Sequence, residues 1–126
     1  MRLLLDTHIF MWVCSDPGRL KAATRKAITV SASAVFVSVA TAWEISIKRA
    51  LGRLDFPLDR IDTMLAEMDF APLPMMIRHA VEAGELPRHH DDPFDRMLIA
   101  QARVEGLTLA SVDRRLAVYD VPILGN

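Results

Sequence analysis

Residues 2–14 read RLLLDTHIFMWVC. The run "RLLL" is short, apolar and nearly continuous, the pattern of a strand buried on both faces of a parallel sheet. Asp6 and Thr7 end it, and "HIFMWVC" continues as a helix. The same switch recurs down the chain. "AVFVSV" at 34–39 reads as a second strand, and "TAWEISIKRAL" follows as a helix that Gly52 stops. Before that pair come a turn at "DPG" (16–18) and a helix at "LKAATRKAI". Residues 58–68 form an amphipathic helix with Leu58, Ile61, Leu65 and Met68 on one stripe. "FAPLP" is a short strand whose prolines keep it near a sheet edge. A helix over "MMIRHAVEAGEL" and another over "DPFDRMLIAQA" come next. "LTLAS", "DRRLAVY" and "VPIL" close the chain as strand, short helix and strand. Alternation of this kind predicts an α/β fold: one domain over residues 1–126, with a central parallel sheet flanked by helices on both faces.

The bulk numbers agree with one domain. A chain of 126 residues can bury roughly two-thirds of its unfolded surface. The hydrophobic fraction of 52% is high, which suits a well-covered sheet or a surface that docks on a partner. The formal net charge of −1 gives no global sign of nucleic-acid binding, so a nucleic-acid ligand would need metal ions or a local basic patch. A single cysteine, Cys14, excludes an internal disulfide and a multi-cysteine metal site, and fits a reducing cytoplasm. The apolar N-terminus is interrupted by Asp6 and His8 and has no convincing cleavage site, so it reads as structural and not as a signal peptide. No segment is apolar enough for a membrane span. There are no repeats or low-complexity tracts.

Four acids share one kind of position. Asp6 follows the first strand, Asp113 follows "LTLAS" after Val112, and Glu44 and Asp95 lie in the early turns of helices. In an open α/β sheet, ligands bind beyond the carboxyl ends of the strands. Each acid also has a plain structural explanation. Asp6 and Asp113 can cap the helices they precede. Glu44 can close a capping box with Thr41 or pair with Lys48, and Asp95 can complement a helix dipole. Four at once is harder to dismiss. Asp95 lines up with Ile99 and Ala102, on the side that should be covered, where an unpaired charge is costly. Clustered carboxylates repel one another unless a cation sits among them. An all-oxygen site suits Mg2+ or Mn2+ and not zinc.

With these residues in view, the chain resembles PIN-domain proteins, and within them the VapC-like ribonuclease toxins of type II toxin–antitoxin systems. The matching pieces are "LLLDTHIFMW", "VSVATAWEISIKRALGRL", "LPRHHDDPFDRMLIAQARVEGLTLASVD" and the closing "YDVPIL". They span nearly the whole chain in the family's order. The resemblance implies a PIN fold and an acidic Mg2+ or Mn2+ site that cleaves RNA, leaving a 5′-phosphate and a 3′-hydroxyl. The family's acids fall on Asp6, Glu44, Asp95 and Asp113, with Thr7 and Ser111 in support. The resemblance further implies a homodimer and a cognate antitoxin that blocks the acidic groove.

The implied chemistry is metal-assisted phosphodiester hydrolysis. Asp6, Glu44 and Asp95 would hold one ion, and Asp113 a second ion or the attacking water. Arg96, Arg114 and Arg115 lie near the acids in sequence and are candidate RNA-phosphate contacts, or else solvated surface charge. His89 and His90 read as loop residues in preference to metal ligands. Asp92 reads as the cap of the helix that begins at Pro93. Trp12, Trp43, Met75 and Met76 read as core or interface residues. Two other functions remain open: a PIN-like nuclease in RNA processing without an antitoxin, and a catalytically inactive interaction module. A phosphate-binding loop of the G-x-x-x-x-G-K-[ST] kind is absent.

Overall fold

Leu3, Leu4 and Leu5 have no solvent exposure. The reason is that their strand, β1 (Arg2–Leu5), has a partner on each side. It pairs in parallel with β2 (Ala34–Ser38) through Arg2↔Ala34 to Leu5↔Val37, and with β4 (Thr108–Ser111) through Leu3↔Thr108 to Leu5↔Ala110. β3 (Ala71–Leu73) adds to the outer side of β2, and β5 (Ile123–Gly125) to the outer side of β4. The result, in a computed structural model that describes residues 1–30 and 33–126, is one all-parallel five-stranded sheet of order β3-β2-β1-β4-β5. Pro72 sits in the edge strand β3, where a missing N–H is tolerated.

Parallel neighbours need crossovers, and six α-helices among the described residues provide most of them. They are α1 (Thr7–Ser15), α2 (Ala22–Thr29), α3 (Val39–Ala50), α4 (Ile61–Glu67), α5 (Ile77–Glu85) and α6 (Pro93–Glu105). Tight 3-10 turns occupy Pro17–Arg19, Leu58–Arg60 and Arg114–Tyr119. The strand alternation divides the core in two. Leu3, Leu5, Val35 and Val37 face α1 and α4, with Ile9, Phe10 and Leu65. Leu4 and Leu109 face the other way, against Leu98, Ile99 and Ala102 of α6. Both faces are thus covered, as the pattern of apolar runs predicted.

Two helix ends differ from a simple reading of the sequence. α3 starts at Val39, because the Ser38 hydroxyl accepts from Ala40 N at 2.9 Å and closes the strand one residue early. Thr41 therefore lies inside the helix, and Glu44 cannot form the expected capping box with it. At the far end of α6, Gly106 takes φ +67°, a left-handed conformation that costs glycine little and ends the helix.

The strand order puts a reversal beside β1. The chain first builds outward through β2 and β3, then returns to the other side of β1 with β4. The crevice between the carboxyl ends of β1 and β4 is where such a sheet offers room for a ligand.

Candidate active site

Asp6 is the residue between β1 and α1. Its Oδ1 accepts from Ile9 N at 2.8 Å, and its Oδ2 accepts from Val112 N at 3.2 Å. One buried carboxylate therefore caps α1 and ties it to the chain leaving β4. Burial raises its pKa above the usual carboxylate value, and the bonds from Ile9, Ser111 and Val112 offset part of the rise. Thr7 follows at once, and its hydroxyl donates to Glu44 Oε1 at 2.6 Å. Glu44 comes from α3, is buried, and pairs through Oε2 with Lys48 Nζ at 2.7 Å. Asp113 caps the 3-10 turn after β4. Its Oδ1 accepts from the backbone N and Nε of Arg115, and its Oδ2 accepts from the other arm of the same guanidinium at 2.8 Å. That fork holds the Asp113 carboxyl below its ordinary pKa. Ser111 accepts from Asp113 N at 3.0 Å and shapes the same corner.

Asp95 has no such help. Asp92 caps α6 by accepting from Phe94 N and Asp95 N, with Pro93 at the first helical position. The Asp95 carboxylate itself accepts no hydrogen bond among the described residues. Burial first, and then the charges of Asp92, Asp6, Glu44 and Asp113, push its pKa up to about 7. Together with Thr7, Ser111, His8 and Lys48, these five acids line a cavity of about 160 Å³ at the carboxyl edge of the sheet. Asp6, Glu44, Asp95 and Asp113 thus meet from four separate segments.

The donor set is all oxygen and strongly negative, which suits a hard divalent cation. Among the described residues, no three acidic, histidine or cysteine side chains converge tightly enough to ligate one ion directly. That spacing still fits Mg2+, which keeps several waters and takes only one or two carboxylates from a protein. Asp95 is the carboxylate free to be taken.

The arginines divide. Arg96 was a candidate for RNA contact, and the structure overturns this. Its side chain is buried, and its guanidinium donates to the carbonyls of Ala83, Leu86 and Pro87 at 2.9 Å and more weakly to that of His90. It satisfies the end of α5 and the loop behind it, and it does not line the acidic cavity. Arg114 is exposed and lies along Gly125 of β5. Arg115 stays at the rim of the cavity, forked on Asp113. His89 and His90 do not line the acidic cavity. They pack edge-on against the ring of Tyr119, at 4.9 and 5.2 Å between centroids. Met75, Met76 and Trp43 are exposed, with Trp43 edge-on to Phe94 of α6 at 5.4 Å, whereas Trp12 packs partly into the core under the Arg19 guanidinium. Sequence reading passed over His8 as a cavity residue, although its place two residues after Asp6 was the available signal.

The sequence matches the family profile of the PIN domain over residues 3–122. No curated protein matches the chain in sequence. Among solved structures, the chain is similar to VapBC2 from Rickettsia felis bound to a DNA fragment from their promoter. There the TM-score is 0.73 and the identity 11%, with 100% of this chain and 99% of that one covered. It is also similar to VapBC-1 from nontypeable Haemophilus influenzae, with TM-score 0.70, 18% identity and coverage of 99% and 98%. FitAcB from Neisseria gonorrhoeae gives TM-score 0.68, 20% identity and coverage of 98% and 96%. At these identities the likeness establishes the shared fold.

Proposed function

The chain belongs to the PIN-domain family, and we propose that it is a Mg2+- or Mn2+-dependent endoribonuclease, the toxin of a type II toxin–antitoxin pair. One observation carries the reading. Asp95 brings a carboxyl with a pKa of about 7 into a cavity of acids and accepts no hydrogen bond there among the described residues. A purely structural acid at a helix start would have found a partner, as Asp92 did. An inactive interaction module has no need to keep so costly an arrangement.

Asp95, together with Asp6 or Glu44, would hold the ion, directly or through water. The bound ion supplies Lewis-acid stabilisation of the phosphate's developing charge and an activated water. The chain's own residues prepare the place. Thr7 and Lys48 hold the Glu44 carboxylate in position, and Ile9 N and Val112 N fix both oxygens of Asp6. Asp113 would hold a second ion or the attacking water, and Arg115 beside it offers a positive charge to an RNA phosphate.

Support for a protein partner comes from the neighbours, which were solved as VapBC and FitAB-type assemblies. The surface has apolar area to give: Met75, Met76, Ile77 and Val81 are exposed around the start of α5, and Ile77 is 85% exposed. We assign this area to a homodimer or to the antitoxin. No helix among the described residues is long and apolar enough to cross a membrane, and the proposed site of action is cytoplasmic RNA.

The test is cleavage of structured RNAs by the purified, partner-free protein, with Mg2+ or Mn2+ and with chelator. Parent, Asp6→Asn and Asp95→Asn are compared. Cleavage that survives in both variants, or in chelator, would sink the metal–carboxylate mechanism.

A further inference from the structure

Next to the acidic cavity lies a second, smaller one. It is lined by His89, His90, Arg115, Val118 and Tyr119. Its composition is unlike that of its neighbour: three ring-bearing side chains, one guanidinium, one exposed valine and no carboxylate. Arg115 links the two, because it lines the small cavity while its Nε and one terminal nitrogen donate to Asp113 in the acidic one.

Two features of the small cavity ask for the same ligand. First, Asp113 engages the Arg115 guanidinium through in-plane donors, Nε and one terminal nitrogen. An in-plane fork leaves the flat faces of the guanidinium open, and those faces stack on aromatic rings. Second, Tyr119 is buried and anchored, its hydroxyl accepting from His90 N at 2.9 Å, and both histidine rings rest edge-on against it. The exposed His89 ring is thereby braced as a flat wall. A flat ligand that stacks answers both features. Nucleobases have that form, and unpaired bases in RNA are held by stacking on histidine, tyrosine and arginine planes.

We propose that the cavity of His89, His90, Arg115, Val118 and Tyr119 is a subsite for one unpaired ribonucleotide base, next to the phosphate held at the acidic cavity. The proposal rests on the endoribonuclease reading above and deepens it. It makes the substrate single-stranded at the cleavage position, because a base inside a duplex cannot enter a walled pocket. It also gives Arg115 two roles: its edge orients Asp113 and its face receives the base.

The test uses the full chain carrying Asp95→Asn, so that RNA is bound and not cut, with Mg2+ present. Binding of a fluorescently labelled unstructured RNA oligonucleotide is measured by anisotropy, alongside the same strand annealed to its complement. Val118→Trp fills the cavity from an exposed position, and His89→Ala removes its wall. Both positions are on the surface, and thermal melting checks that the fold is kept. Each variant should bind the single strand about fivefold to a hundredfold more weakly, the range for loss of one stacked base, with little change for the duplex. In the cleaving background, His89→Ala should shift which positions are cut. Unchanged single-strand binding in both variants, while the parent binds and cuts RNA, overturns the subsite and leaves the nuclease reading standing. Equal weakening for single strand and duplex also overturns it, since that marks general obstruction. A parent that neither binds nor cuts any RNA overturns both readings together.

Discussion

Helix α6 carries an acid at each end, and the two live in opposite circumstances. Glu105, in the last turn, is bonded by the Arg78 guanidinium at 2.8 Å, with the buried His79 ring at 3.6 Å. These partners hold its pKa below the usual value, the Arg78 hydrogen bond being the largest influence. Asp95, in the first turn, accepts no hydrogen bond among the described residues, and burial together with four neighbouring acids pushes its pKa up to about 7. The helix dipole does not account for the contrast, since it favours an acid at the N-terminus and disfavours one at the C-terminus. Burial and neighbouring acids at one end, and the Arg78 guanidinium at the other, have reversed the dipole's preference. The end that is satisfied stabilises the fold, and the end that is not satisfied is where we propose that a cation binds.

The largest effect expected from breaking this contrast is on catalysis. Asp95→Asn should lower RNA cleavage by about a hundredfold to a thousandfold, the scale of several kcal/mol that a metal contributes to a charged transition state. The same change in metal-free protein should leave the fold intact or raise its melting temperature at pH 8, because it removes an uncompensated charge. A variant that loses activity by unfolding would show the opposite shift in a melting curve, and the assignment of Asp95 would fail.

Arg96, the neighbour of Asp95 in the chain, tests the other side of the contrast. Its guanidinium satisfies carbonyls at the end of α5 and in the following loop. Arg96→Ala should destabilise the protein by about 2–4 kcal/mol in chemical denaturation, through buried carbonyls left unmet and a cavity left open. Cleavage per folded molecule should hold, because the side chain makes no contact with the acidic cavity. A proportionate loss of activity without loss of stability would restore Arg96 as an RNA contact.

These two neighbours also mark what the sequence could and could not disclose. The parallel sheet was legible because "RLLL", "AVFVSV" and "LTLAS" are too short and too apolar for anything but buried strands between helices. The four acids were legible because each sits where a strand gives way to a helix, and parallel strands bring such junctions to one edge. What was hidden is direction. Consecutive residues on a helix point about 100° apart, so Asp95 reaches the cavity while Arg96 turns toward α5, and nothing in the letters "DR" tells them apart. Glu44 shows the same limit. Its spacing from Thr41 fits a capping box, but Ser38 starts the helix earlier, and the carboxylate bonds Thr7 from another segment instead. The small cavity at Tyr119 was hidden too, since His89 and His90 meet that ring from 29 residues away in the case of His90.

The pH dependence should be visible in binding. Because Asp95 in the metal-free protein titrates near pH 7, an ion that needs its carboxylate competes with a proton there. Mn2+ affinity measured by calorimetry should rise as pH increases from 6 to 8 and level off above. Asp95→Asn should flatten that profile. A profile equally steep in the variant would move the ion to another acid.

The smallest effect separates the two ends of α6 by the sign of their pH dependence. Glu105 has a folded-state pKa below its unfolded value, so its stabilisation is present above about pH 4.5 and is lost as pH falls through the folded value. Asp95 has a folded-state pKa above its unfolded value of 3.8, so its ionisation costs stability at high pH. That cost is relieved as pH falls through about 7 towards 4. Glu105→Gln should therefore destabilise by at most about 1 kcal/mol at pH 7, since the Arg78 partner is more than half exposed and the pair is screened by solvent. The deficit should shrink below pH 4.5. Asp95→Asn in metal-free protein should stabilise at pH 8, and its advantage should fade on acidification between pH 7 and pH 4. Denaturation series across this range would give two difference curves of opposite sign from two ends of one helix. If both curves had the same sign, bulk charge and not local partnering would govern the pair, and Asp95 would lose its claim to be the unsatisfied acid that draws in a cation.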